Sequence, residues 1–341
     1  MEALVGIPAL VALLGAASVV AVKAGICVSN RTCYQRRKDR DSNDDRIDGE
    51  VSGLFVYPIK SCAGTALKVA TLSETGILFD RTFMLTRRQE HGKLEMVSQR
   101  QFPLMSQVHP EVDCKGTKLL GLRLTFSGQA AGPAKQPLYI DVSTAGENPD
   151  AERREEVIVW PTDVARENAQ NALLLGDKVS EWFGDALQSN DKLELVYMDA
   201  LCRRGLAQKY CDRIAKGEEY DLSFADASPF LLTSEQSLED VQRRIGSTGH
   251  AYQMDRFRPN IVVTNTTGPF IEDTWARFSF IPEDSTAQDK NLVTLFGVHR
   301  CTRCEMPSVN QVRLSAERAV VLWLQSSFIA FTVKYRCLPN L

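Results

Sequence analysis

The sequence predicts an α+β protein that is mostly β: two β-rich domains with a few helices, preceded by one transmembrane helix. Three observations carry that expectation. Short strand-like runs recur between turn signals from Val51 onward, helical periodicity is confined to two places in the middle of the chain, and residues 3–22 hold no charge.

The uncharged segment comes first. Residues 3–22 read ALVGIPALVALLGAASVVAV, and at ~1.5 Å rise per residue they span ~30 Å, one hydrocarbon core. Only Glu2 is charged before them, whereas Lys23, Arg31, Arg36, Arg37, Lys38 and Arg40 follow. The positive-inside bias places the remainder of the chain in the cytosol. A cleaved secretory signal is the rival reading, but the positive n-region it needs is missing. Residues 1–23 are therefore expected to form an anchor. Residues 24–50 are expected to be a charged, flexible linker, because 34–50 are rich in charge and poor in apolar side chains.

Strand-like runs then follow at 54–59, 67–72, 82–86, 119–126, 138–142 and 157–160. Between Leu122 and Phe126 the apolar residues take every second place, the strand period. Residues 127–137 (SGQAAGPAKQP) carry loop chemistry suited to joining two antiparallel strands. Residues 51–175 are thus expected to be a β domain. Val179, Trp182, Phe183 and Leu187 then recur on one helical face. Thr233 and Gln236 form a T-x-x-Q capping box ahead of Leu238, Val241 and Ile245, with Gly246 placed to end that helix. Strands resume at 260–264, 276–281 and 292–298, and a second domain is expected over 176–310.

Composition narrows the function. A formal net charge of −3 argues against a nucleic-acid footprint. Nine irregularly spaced cysteines do not form a disulfide framework and suit a reducing, cytosol-facing setting. No G-x-G-x-x-G or P-loop occurs. The chemistry-bearing signal is Cys301-Thr302-Arg303-Cys304, the only C-x-x-C in the chain. A structural zinc site would want a second Cys/His pair, and the four histidines (91, 109, 250, 299) offer no H-x₃₋₅-H. A solitary C-x-x-C around an arginine suggests one thiolate, used as ligand or nucleophile in a cationic pocket. Two buried core thiols are the competing reading. His299 with Cys301 could form a base–nucleophile pair, but no third orienting residue accompanies them.

Three further segments, Tyr57-Pro58-Ile59-Lys60-Ser61-Cys62, Asp226-Ala227-Ser228-Pro229-Phe230 and Phe257-Arg258-Pro259-Asn260-Ile261-Val262, stand in order before the C-x-x-C. Together the four resemble the MOSC-domain family, molybdenum-cofactor-binding proteins whose MOSC domain follows an N-terminal β barrel, and within it the amidoxime-reducing branch. The resemblance covers roughly residues 51–307. It implies a β-barrel-like N-terminal domain followed by a β-barrel-based MOSC domain, holding a molybdenum–pterin cofactor (Mo-molybdopterin). It assigns Cys304 as the catalytic metal ligand, a soft thiolate suited to molybdenum. It assigns cofactor contacts to Lys60, Ser61, Arg81, Ser228, Arg258, Asn260, Thr302 and Arg303. It also implies reduction of small N-hydroxylated compounds, with electrons from NADH through a flavin reductase and a b-type cytochrome. The site would face the cytosol from a mitochondrial outer membrane or the endoplasmic reticulum.

On the residues alone, Lys60 also reads as a solvated lysine, and Arg81 and Arg258 as partners of Asp80 and Asp255. Pro259 stiffens the approach of Asn260, which is expected to present an amide donor to the ligand. Ala227 replaces a residue that is a hydroxyl in some relatives. After Pro307 the chain leaves the family pattern, so residues 311–341 are expected to be a divergent, poorly packed tail and the pocket to be incomplete. Two alternatives accompany the enzyme reading. One is a non-catalytic cofactor-binding or sulfur-carrier module, as in the C-terminal part of molybdenum cofactor sulfurases. The other is an inactive truncated variant.

Overall fold

Runs rich in β-branched and aromatic residues pair their backbones to satisfy every ladder N–H and C=O, and here they close on themselves. The computed structural model describes residues 26–29, 33–37, 46–73, 75–148, 150–160, 168–205, 221–246, 252–264, 268–275, 277–281, 293–301, 306–308 and 330–336. In chain order the strands begin with β1 (Ile26–Ser29), β2 (Cys33–Arg37), β3 (Arg46–Val56), β4 (Thr65–Leu67), β5 (Val69–Ser73) and β6 (Gly76–Ile77). The N-terminal domain continues with β7 (Phe83–Arg88), β8 (Leu94–Met96), β9 (Val108–Lys115), β10 (Lys118–Phe126), β11 (Leu138–Asp141), β12 (Arg154–Ile158) and β13 (Asn168–Leu174). Helix α1 (Asp177–Ala186) and β14 (Leu193–Tyr197) complete it. The second domain holds β15 (Phe230–Ser234), α2 (Glu235–Ile245), β16 (Ile261–Val263), β17 (Arg277–Ile281), β18 (Val293–Cys301) and β19 (Ala330–Arg336).

The N-terminal domain contains a closed five-stranded barrel in the order β12-β13-β14-β7-β8. Closure comes from the parallel pairing of β12 with β8, which removes exposed strand edges. Met84, Leu94, Val157, Ala172 and Val196 fill one core, and Phe224 from the second domain packs into the same cluster. A three-stranded meander, β11-β10-β9, lies beside the barrel. Helix α1 covers the meander with Val179, Trp182 and Phe183, against Leu122 and Leu124. The stripe read from the sequence is therefore the buried face.

The second domain is built on an eight-stranded sheet ordered β16-β15-β19-β18-β17-β2-β3-β4, in which β16 also pairs with β3. That pairing brings the sheet back on itself around Val51, Leu54, Leu232, Ile261, Trp275 and Phe278. Mostly β with two helices among the described residues, the fold matches the predicted class. The expected capping box is displaced by one residue. Thr233 remains in β15 opposite Val262, and Ser234 caps α2 by accepting from the Ser237 N–H. Gly246 does end α2, at φ 72°, a left-handed position that suits glycine.

Three terminal expectations fare differently. The expected anchor, residues 1–23, lies outside the described residues, among which no helix is long and apolar enough to cross a membrane. The segment read as a flexible linker instead supplies strands: β1 pairs with β5, and β2 pairs with both β3 and β17. Charged residues had signalled flexibility, yet they are tolerated wherever alternate positions of a strand face water. The tail is the larger correction. β19 runs between β15 and β18 in the middle of the sheet, with Val333 opposite both Phe230 and Gly297. A ladder needs extended backbone and β propensity, not a family motif, so absence of a motif there was no evidence against a strand.

Candidate cofactor site

Among the described residues, Lys60, Ser61, Arg81, Arg258 and Asn260 come together where the two domains meet. After β3 the chain leaves the sheet at Tyr57, and Ile59 makes a parallel bridge to Phe83 at the start of β7. The Lys60 N–H donates to the Phe83 carbonyl at 2.8 Å, and the Arg81 N–H to the Tyr57 carbonyl at 2.8 Å. Arg258 and Asn260 arrive just ahead of β16. Lys60, Ser61, Ser228, Arg258 and Asn260 are all buried. Three of the predicted residues carry positive φ without being glycine: Ser61 at 67°, Arg81 at 52° and Arg258 at 56°. Each such backbone costs about 1–3 kcal/mol and persists only where the surroundings over-determine it, a pattern found at ligand clamps.

Arg81 and Arg258 lie against the Tyr57 ring, their guanidinium carbons 4.9 and 4.4 Å from its centroid. Arg81 pairs with buried Asp80, whose other oxygen accepts from the Tyr57 N–H at 2.8 Å. It also reaches the Asn260 amide oxygen and the Arg258 carbonyl, each at 3.1 Å. The Asp80–Arg81 ion pair foreseen as a structural alternative is thus present, inside the candidate site. Arg258 has no carboxylate hydrogen-bonded to it among the described residues. One of its terminal nitrogens donates to the Cys62 carbonyl at 2.6 Å. The other, Nη2, is buried with no hydrogen-bond partner among the described residues, as is the Tyr57 hydroxyl. Burial pulls the Arg258 pKa down from its usual range and pushes Tyr57 up against the opposing charges of Arg258 and Arg81.

Lys60 is not a solvated lysine. It is 4% exposed; its ammonium donates to the Phe224 carbonyl at 2.7 Å and pairs with exposed Asp226. Burial lowers its pKa to about 8, against the raising effect of Asp226. Asn260 behaves differently from expectation. Its amide oxygen accepts from Arg81 and from the Leu231 N–H at 3.2 Å, and its amide nitrogen donates to the Phe55 carbonyl at 3.2 Å. It is a clamp that ties β15 to β3 and fixes Arg81, not a donor facing a ligand. The Ser228 hydroxyl is turned to the Phe230 carbonyl at 3.2 Å. Cys62 is a buried thiol pushed up to about 12 by burial, hence inert. Thr302, Arg303 and Cys304 lie outside the described residues. Cys301 ends β18.

Several residues join the site without having been foreseen. Arg204 is 2% exposed and donates to the Ser223 and Ala225 carbonyls at 2.8 and 2.6 Å, shaping the loop that carries Asp226. Gln99 donates to the Ser61 carbonyl at 2.7 Å. Trp160 lies 5.7 Å from the Lys60 ammonium. None belongs to a motif, and each sits far from its partner in sequence.

A phosphate-bearing pterin fits this cradle. A buried guanidinium nitrogen and a phenol hydroxyl wait without partners beside two further cations, and strong charge-assisted bonds to phosphate are what such a set can make. If Lys60 takes part, anion affinity must depend on pH. Below pH 8 its ammonium is charged at no cost. Above that, binding must take up a proton, so affinity falls by up to tenfold per pH unit. Sulfate, which does not titrate in this range, is expected to bind more weakly as pH rises through about 8, and Lys60→Met to abolish that dependence. Calorimetric titration giving a flat profile for the native protein would remove Lys60 from the cradle.

Residues 48–190 match the MOSC N-terminal beta barrel domain and residues 219–337 the MOSC domain. The second match includes β19, in accord with its place in the sheet. Molybdenum cofactor sulfurase of Arabidopsis thaliana is 26% identical over 293 residues, 84% of this chain and 32% of that protein. Mitochondrial amidoxime reducing component 2 of Rattus norvegicus is 25% identical over 249 residues, 71% of this chain and 64% of that one. The Bos taurus protein of the same name is 28% identical over 233 residues, 67% and 59% respectively. The chain therefore spans about a third of the sulfurase and less than two-thirds of these amidoxime reducing components.

Proposed function

We propose that this chain, a MOSC-domain protein with its N-terminal β barrel, binds a molybdenum–pterin cofactor at the seam of its domains and reduces N-hydroxylated compounds. The observation that carries the reading is the buried, unpartnered Nη2 of Arg258 beside the unpartnered Tyr57 hydroxyl. Such donors are costly unless a ligand satisfies them. When bound, the cofactor would supply two-electron chemistry at molybdenum. The protein's share is to hold the phosphate with Lys60, Arg81 and Arg258, to keep Arg81 oriented through Asn260, and to exclude water behind Tyr57. Cys304, at the end of the C-x-x-C, is the proposed metal ligand. Electrons would come from NADH through a flavin reductase and a b-type cytochrome, at a mitochondrial membrane.

The similarity to the Arabidopsis sulfurase over 84% of this chain supports a second reading, a cofactor-binding module without N-reductase activity. One experiment separates them. Cys304→Ser is expected to abolish N-reduction while Cys301→Ser retains most of it. A native protein that holds molybdenum yet reduces no N-hydroxylated compound favours the module. Equal loss in both variants, with molybdenum still bound, removes Cys304 from the metal.

A further inference from the structure

The Trp160 ring is approached by a buried cation and by an exposed one. The Lys60 ammonium is 5.7 Å from the indole centroid and the Arg100 guanidinium 5.2 Å from the same centroid. Lys60 is buried, Trp160 half-buried and Arg100 exposed, so exposure rises along the three from the cradle outward. Arg100 is not on a wandering loop. Its neighbour Gln99 is buried and bonded to the Ser61 carbonyl. Ser98 is fastened to the Gln101 side chain at 2.9 Å through its N–H and 2.6 Å through its hydroxyl. Among the described residues no carboxylate pairs with Arg100. A guanidinium held against an indole loses little freedom when its planar fork meets a planar oxyanion.

We infer that Arg100, seated on Trp160, is an outer anion-binding position of this site and selects ligands that carry a carboxylate. The inference rests on the proposed function for its biological meaning: a ligand anchored beside Lys60 and extending to solvent passes Trp160 and meets Arg100. Substrates with an acidic substituent are thereby favoured over neutral ones of the same shape. Arg100 is a specificity-determining position, apart from the phosphate-holding set.

Benzoate and its neutral isostere benzamide test this on the full chain by ligand-observed NMR titration, with sulfate as the probe of the inner cradle. The native protein is expected to prefer benzoate about tenfold, the usual worth of one charge-assisted hydrogen bond. Arg100→Ala should erase that preference, and Arg100→Lys should restore only part of it, since a point charge lacks the fork. Sulfate binding should change less than about twofold in both variants and fall strongly in Arg258→Ala. A benzoate preference that survives Arg100→Ala overturns the inference, and so does equal loss of benzoate and benzamide. Sulfate binding indifferent to Arg258→Ala would instead overturn the cradle, with the benzoate comparison still deciding Arg100.

Discussion

Truncation after Ile329 is expected to unfold the second domain. The deletion removes β19, which pairs with β18 from Thr294 to Cys301 and with β15 from Phe230 to Leu232. Both neighbours would be left with open edges in the interior of the sheet, and each buried, unpaired backbone group costs ~1–3 kcal/mol. Several such losses exceed the ~5–15 kcal/mol by which domains are stable. The open edges would also template aggregation. Circular dichroism and limited proteolysis check the outcome: residues downstream of Phe230 should become protease-sensitive while the N-terminal barrel resists. A truncated chain that melts as cooperatively as the full one would mean that β19 contributes nothing to the sheet.

Arg258→Ala should cost the most cofactor of any substitution in the cradle. It deletes the unpartnered buried donor, worth about 1.5–3 kcal/mol as a charge-assisted bond, so retention should fall around ten- to a hundredfold. It also removes the contact to the Cys62 carbonyl and one of the two guanidiniums against Tyr57. Alanine keeps the Cβ at φ 56° and so leaves the backbone strain as it is, while Arg258→Lys separates the charge from the planar fork. Lysine keeps the charge but loses the fork, and should recover only part of the binding. If the alanine variant holds its cofactor as the native protein does, Arg258 is structural.

What could be read in advance follows from what each feature depends on. The strands around Leu122 and the helix with Trp182 and Phe183 depend on local periodicity, and both were legible. Lys60, Ser61 and Arg258 could be singled out because they sit in short motifs, though nothing in those motifs reveals that Ser61 and Arg258, like Arg81, adopt left-handed backbone. The clamp role of Asn260 was not legible. It arises from Phe55 and Leu231, partners that only the closure of the sheet brings near. Arg204, Gln99, Trp160 and Arg100 carried no signal for the same reason. At the two ends, composition misled: charge was read as flexibility at β2, and absence of a motif as absence of structure at β19. The thiolate assignment to Cys304 rests on sequence resemblance, since that residue lies outside those the structure describes.

The most direct measurement is the molybdenum and phosphate content of the full chain, purified from cells that make the cofactor. The account predicts close to one molybdenum and one pterin phosphate per chain, both sharply reduced in Arg258→Ala. A native protein that is folded, by the same cooperative melt, yet carries neither metal nor pterin would contradict it.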